Sequence, residues 1–223
     1  LSFPVQGSAA FNGTSDYILA PNLSIQSSAT WTIGAWVYHD FTSGNADYLF
    51  DGREDQEDGF GFYSTTGTGW TYYDANGGKV TSNFSAPTKE WYYISIVRDG
   101  SSNVKIYKDG SLTDTLTGAE TSYSVSGVFN IGVRYSLVQP FEGNMANFSI
   151  WNRALSSDEI NSVMWKPVQA LSATESNGLQ AWYSLDDIAS PTASLATMEQ
   201  LATDKDVTIE NKAAITAAIN SLS

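Results

Sequence analysis

The stretch Phe141-Glu-Gly-Asn-Met-Ala-Asn-Phe-Ser-Ile-Trp-Asn-Arg-Ala-Leu-Ser-Ser-Asp-Glu-Ile160 constrains the fold more than any other part of the chain. Its first half carries Met145, Phe148, Ile150 and Trp151, residue types that suit a pleated, half-buried strand. Its second half offers Ser156 or Ser157 as an N-cap, followed by Asp158 and Glu159, which the positive end of a helix dipole favours. The pattern is a strand, a tight Trp-Asn-Arg-Ala-Leu-Ser link and a capped helical turn.

Three further segments stand in a definite order around it. Phe11-Asn-Gly-Thr-Ser-Asp-Tyr-Ile18 leads to Trp31-Thr-Ile-Gly-Ala-Trp-Val37, an Asp-Tyr turn before a strand. Glu90-Trp-Tyr-Tyr-Ile-Ser-Ile-Val-Arg-Asp-Gly100 and Asn103-Val-Lys-Ile-Tyr-Lys-Asp-Gly110 form a central hairpin pattern with two Asp-Gly turns. Gly178-Leu-Gln-Ala-Trp-Tyr-Ser-Leu-Asp186 reads as a closing strand. Together these segments resemble the laminin G-like and pentraxin branch of the concanavalin A-like jelly rolls, over roughly residues 8 to 187. The resemblance implies an all-β fold, a two-sheet antiparallel jelly-roll sandwich.

Composition agrees. Hydrophobic residues at 42%, with 7 Trp, 12 Tyr and 10 Phe, suffice to fill a core between two sheets. Asp-Gly pairs at Asp51, Asp58, Asp99 and Asp109 punctuate the strands as hairpin signals. In Trp91 to Val97, Tyr92, Ile94 and Ile96 share one face and Trp91, Tyr93, Ser95 and Val97 the other, which predicts an interior strand with both faces covered.

From about Ser190 the grammar changes. Gly disappears, and Ile215, Ile219 and Leu222 fall at helical spacing, as do Leu195, Met198 and Leu201. The chain therefore divides into a jelly-roll domain over 1–189 and a C-terminal α-helical tail over 190–223. The tail either packs on its own domain or supports docking, including a homo-oligomer or larger assembly through its helices.

A net charge of -13 with only 11 Lys and Arg, none clustered, excludes nucleic acid and anionic membrane as partners. No run of 18 apolar residues exists, so membrane insertion is not expected. Without cysteine, neither disulfides nor zinc-thiolate sites form, which favours a bacterial surface or secreted protein or a virion protein. The chain begins at Leu1 without an initiator Met, as expected of a processed product or excised domain.

Catalysis finds little support. Glu54-Asp-Gln-Glu-Asp58 lacks the apolar spacers of a glucanase carboxylate strand and reads as a solvated hairpin loop. His39 stands alone past the Ala-Trp-Val strand, with no Gly-x-Ser-x-Gly motif. For metal, the expectation is one calcium ion using Asp16 or Asp58, since calcium needs several oxygens and acidic loops supply them. By resemblance to the pentraxins, Asp58 matches one member of an Asp-Asn calcium pair, but Gly59 replaces the Asn, and the loop from Val133 to Pro140 has no carboxylate. Ala146 and Asn147 likewise stand where the laminin G-like pattern commonly has two Asp.

For glycans, the candidate patch is Trp70, Tyr72 and Tyr73 beside Asp74 and Asn76: aromatic rings to stack on sugars and polar groups to bond hydroxyls. The competing reading of the same strand makes its aromatics core. Four Asn-x-Ser/Thr sequons begin at Asn12, Asn22, Asn83 and Asn147. The expected function is a non-enzymatic recognition module for surface or extracellular glycans, with a glycan or protein partner. The alternative is a structural virion decoration or surface-assembly protein that docks through its tail. Either places the chain outside the cell, at a cell surface or on a virion surface.

Overall fold

The computed structural model describes residues 7–20, 23, 25–26, 29–40, 44–53, 59–65, 67–74, 79–100, 102–119, 124–125 and 129–185. The Glu54 to Asp58 run, Asn76 and the helical tail lie outside the described residues. The strands in chain order are β1 (Ala9–Asn12), β2 (Ile18–Ala20), β3 (Ile25–Gln26), β4 (Trp31–His39), β5 (Ala46–Asp51), β6 (Phe60–Thr65), β7 (Gly69–Asp74) and β8 (Lys79–Ser85). They continue as β9 (Trp91–Arg98), β10 (Asn103–Lys108), β11 (Ser111–Thr117), β12 (Ser124–Val125), β13 (Phe129–Ile131), β14 (Glu142–Trp151) and β15 (Leu179–Tyr183). One short helix, α1 (Ser157–Val163), follows β14.

Two antiparallel sheets make the sandwich that the sequence predicts. The larger runs β1-β14-β4-β9-β10-β11, with β15 also paired to β14. The smaller runs β2-β13-β5-β6-β7-β8. Period-two alternation sends Ile33, Ala35 and Val37 of β4 and Tyr92, Ile94 and Ile96 of β9 into one core with Phe50, Phe60, Phe62, Trp70 and Tyr72 of the smaller sheet. Ring stacking bridges and fills this layer: Trp31 lies 4.7 Å from Phe60, and Phe62 lies 4.8 Å from Trp70 with planes 6° apart.

The opposite face of the larger sheet is buried as well, for a reason that alternation alone does not supply. Trp36, Tyr93, Val97, Tyr107, Ala146 and Trp151 form a second cluster, covered by Leu155 and by Ile160, Val163 and Met164 at α1. The double-faced apolar pattern of β9 thus reflects a helical cover on the outside of the sandwich. Burying a side chain such as Ile160 contributes about 1.5–3 kcal/mol, so this short helix is held by packing more than by propensity. The Trp36 indole donates to the Met164 carbonyl at 2.8 Å and pins the helix end.

The sequence left Ser156 and Ser157 open as the cap, and Ser156 takes the role. Its hydroxyl accepts from the Glu159 amide while the Glu159 carboxylate accepts from the Ser156 amide, a full capping box. Ser157 instead donates to the Gly110 carbonyl and ties α1 to the Asp109-Gly110 hairpin. Both turn residues have positive φ, 49° and 75°, the geometry for which Asp-Gly is chosen. Arg153 locks the link by donating to the Asn177 and Thr174 carbonyls and to Glu159.

Candidate functional site

The outer face of the smaller sheet carries a cluster built around a buried arginine. On β5, a register shift between Tyr48 and Phe50 leaves Phe50 in the core while Tyr48 pairs with Tyr63 of β6, their rings stacked at 4.8 Å. Asp51 pairs with Gly61, and Gly61 pairs in turn with Tyr73 of β7. A Cβ at Gly61 would meet the Asp51 Cγ at 3.1 Å and the Tyr48 ring at 3.2 Å, so the missing side chain makes room for the cluster.

Arg53, two residues past the end of β5, folds back over this gap. Its Nε donates to Asp51 Oδ1 at 2.9 Å, and its Nη2 donates to Asp51 Oδ2 and to the Tyr48 hydroxyl at 3.3 Å. The guanidinium carbon sits 4.1 Å from the Tyr73 ring centroid and 4.9 Å from that of Tyr135. Asp51 also accepts the backbone N–H of Arg53 at 3.0 Å and of Tyr135 at 3.1 Å, which brings a loop 84 residues away onto the sheet. Arg53 is only 1% exposed, yet its Nη1 has no hydrogen-bond partner among the described residues.

Burial opposes the charge on Arg53, but the hydrogen bonds and field of Asp51 outweigh it and raise the guanidinium pKa. Burial also pushes the Tyr48 phenol up to about 12, against the pull of Arg53, so it stays a neutral hydroxyl. Arg134 flanks the same patch, its guanidinium 5.0 Å from the Tyr135 ring, with Nε buried and without a partner among the described residues. Lys79 lies 5.4 Å over Tyr73. Tyr63, Tyr73, Tyr135 and Arg134 are half-buried and reachable. The loop that follows bears Leu137 and Val138, exposed at 50% and 47%, with Leu137 and Gln139 at positive φ.

The glycan patch read from the sequence is divided by this geometry. Trp70 and Tyr72 are fully buried in the sandwich, because alternation along β7 points them inward; neither is a surface platform. Tyr73 alone of the three faces outward and joins Arg53. Asp74 is buried at the end of β7, and Asn76 lies outside the described residues. Asp16 is also buried, its carboxylate accepting the Asn12 backbone N–H at 3.0 Å, which closes the turn after β1. Asp58 lies outside the described residues, and among those described no group of three or more His, Asp or Glu is gathered for a metal ion.

His39 is not a loop residue. It ends β4, fully buried between the rings of Phe141 at 4.6 Å and Trp70 at 5.6 Å, with Nε2 2.9 Å from Asp47 Oδ2. Burial lowers its pKa despite Asp47, which keeps the ring neutral. Asn147 is buried at a bulge with φ 50°, so its sequon faces inward. A separate cavity of about 280 Å³ is lined by Ile25, Thr30, Trp31, Ile150, Asn152 and Gln180 among others.

Residues 12–161 match the family model described as the concanavalin A-like lectin/glucanases superfamily. The chain belongs to this superfamily. Among solved structures, a heptameric SAP-like pentraxin from Limulus polyphemus aligns with 70% of this chain and 81% of its own, at 16% identity and a TM-score of 0.54. Domain 4 of an extracellular arabinanase from Geobacillus stearothermophilus, solved with arabinotriose, aligns over 71% of this chain and 76% of its own, at 18% identity and a TM-score of 0.57. The receptor binding domain of botulinum neurotoxin D matches 69% of this chain at 18% identity and a TM-score of 0.55, and the match spans 42% of that domain. At these identities the likeness is one of fold. No curated protein matches the chain at a significant level.

Proposed function

We propose that this superfamily member is a non-enzymatic module that recognises surface or extracellular glycans through Tyr63, Tyr73 and Tyr135 on the outer face of the smaller sheet. The observation that carries the reading is the Arg53 arrangement: half-exposed aromatic rings held rigid around a buried ion pair that leaves one guanidinium N–H group without an acceptor. Sugar rings offer apolar C–H faces to stack on aromatics and hydroxyl oxygens to accept from fixed donors. Asp51, the carboxylate at the centre, is engaged by Arg53 and by two backbone amides, which suits it to scaffolding and not to proton transfer. The arabinanase domain solved with arabinotriose supports the reading, as an example of this fold holding an oligosaccharide.

A glycan array probed with the full chain, with and without calcium, tests it. Binding to a defined glycan, weakened about two- to tenfold in Tyr73→Ala and Tyr63→Ala variants of unchanged thermal midpoint, is the expected result, since one aromatic stack is worth ~0.5–1.5 kcal/mol. Binding to no glycan under either condition would reject the reading.

A further inference from the structure

We infer that the ligand of this face is a carboxylate-bearing saccharide whose acid group lies along Tyr135 against Arg134 and Arg53; the inference rests on the glycan-binding reading above. The first ground is where the unneutralised cations are. The described residues include nine Lys and Arg, of which Arg53, Lys89, Lys105, Lys108, Arg153 and Lys166 form ion pairs. Arg98 is buried in the interior. The two that remain, Lys79 and Arg134, both lie at this cluster, over Tyr73 and Tyr135. In a chain of net charge -13, that convergence gathers the unpaired cations of the described residues at one cluster.

The second ground is the orphaned donors. Arg53 Nη1 and Arg134 Nε are both buried without acceptors among the described residues, and the two guanidinium groups lie 4.9 and 5.0 Å from the same ring. A buried charged donor without an acceptor is rare in a finished fold and calls for a partner, and a ligand oxygen beside the same ring would supply one to both guanidinium groups. The planar guanidinium fork matches a carboxylate, whose two oxygens accept charge-assisted hydrogen bonds that a sugar hydroxyl cannot equal. Asp51 shows the same pairing within the protein, on the other edge of Arg53.

The test titrates the full chain with matched oligosaccharides: uronic-acid oligomers of several backbones, their methyl esters, and sulfated counterparts of the neutral sugars. The acidic run after Arg53 is kept unchanged in every variant. At least one uronate should bind tenfold or more tightly than its methyl ester, and raising the salt from 0.05 to 1 M should shrink the difference, as the ~3 Å Debye length at 1 M requires. Arg134→Gln should bring the acid-to-ester ratio close to one, and Arg134→Lys should restore part of it. Equal binding of acid and ester, or binding of neutral or sulfated sugars alone, overturns the acid assignment while leaving glycan recognition intact. Binding of no saccharide of any kind overturns the underlying reading instead.

Discussion

Replacing Arg53 with Met tests the cluster at its centre. Methionine keeps most of the apolar volume between Tyr73 and Tyr135 but removes the bonds to Asp51 and Tyr48. Asp51, fully buried, then retains only the backbone amides of residues 53 and 135 as donors. Removing one partner of a buried pair costs about 3–5 kcal/mol, because the other charge is left without compensation. For a chain of this size that corresponds to a fall in Tm of about 6–20 °C. Urea denaturation followed by tryptophan fluorescence measures it, with an unchanged m-value as the control for two-state behaviour. The loss should also depend on pH in a definite sense. Burial already raises the Asp51 carboxyl above its ordinary value, and losing Arg53 raises it further, so the penalty is smallest in acid and grows as pH rises through the already raised native pKa of Asp51. The double variant Asp51→Asn, Arg53→Met should lose clearly less than the sum of the two single changes. A loss below about 1 kcal/mol for Arg53→Met, or strict additivity in the cycle, would refute the claim that this pair organises the outer face.

Three further outcomes follow from the same kind of reasoning. His39 is buried neutral with its pKa below 6.5, so the unfolded chain takes up the proton first; stability should fall as pH drops through 6.5, and His39→Gln should flatten that slope in urea titrations between pH 7.5 and 5. Glu175 is pulled down to about 2 by Lys166, Ser162 and Ser172, so its contribution is complete above about 4.5 and lost as pH falls toward 2; Glu175→Gln should remove that acid-limb dependence from a thermal-melt series. Ser156→Ala breaks the capping box and should cost about 0.5–2 kcal/mol by chemical denaturation, whereas Ser157→Ala should leave helix capping intact and loosen only the tie to Gly110.

Much of the fold was legible because its signals are local. The alternation of β9, the Asp-Gly turn at Asp109 and the capped turn beginning at Ser156 or Ser157 each depend on residues within a few positions of one another. The candidate site was not legible in that way. Trp70, Tyr72 and Tyr73 share one short strand, and period two separates Tyr73 from the others without saying which side faces water. Asp51 reads as turn punctuation beside Gly52, yet in the structure it anchors Arg53 and the Tyr135 amide. The one local clue was Tyr48, Asp51 and Arg53 in close succession ahead of Gly61, the step where a side chain is missing.

By itself the amino-acid sequence determined the class of fold, through its resemblance to a jelly-roll family, and the capped turn that closes β14, because backbone preference acts over short distances along the chain. Only the tertiary structure decided that Trp70 and Tyr72 are core, that His39 is buried against Asp47, and that Arg53, Tyr73 and Tyr135 meet. Those outcomes depend on which sheet lies on which face and on a loop brought across 84 residues, and pairings at that distance are set by packing and not by neighbours in the chain.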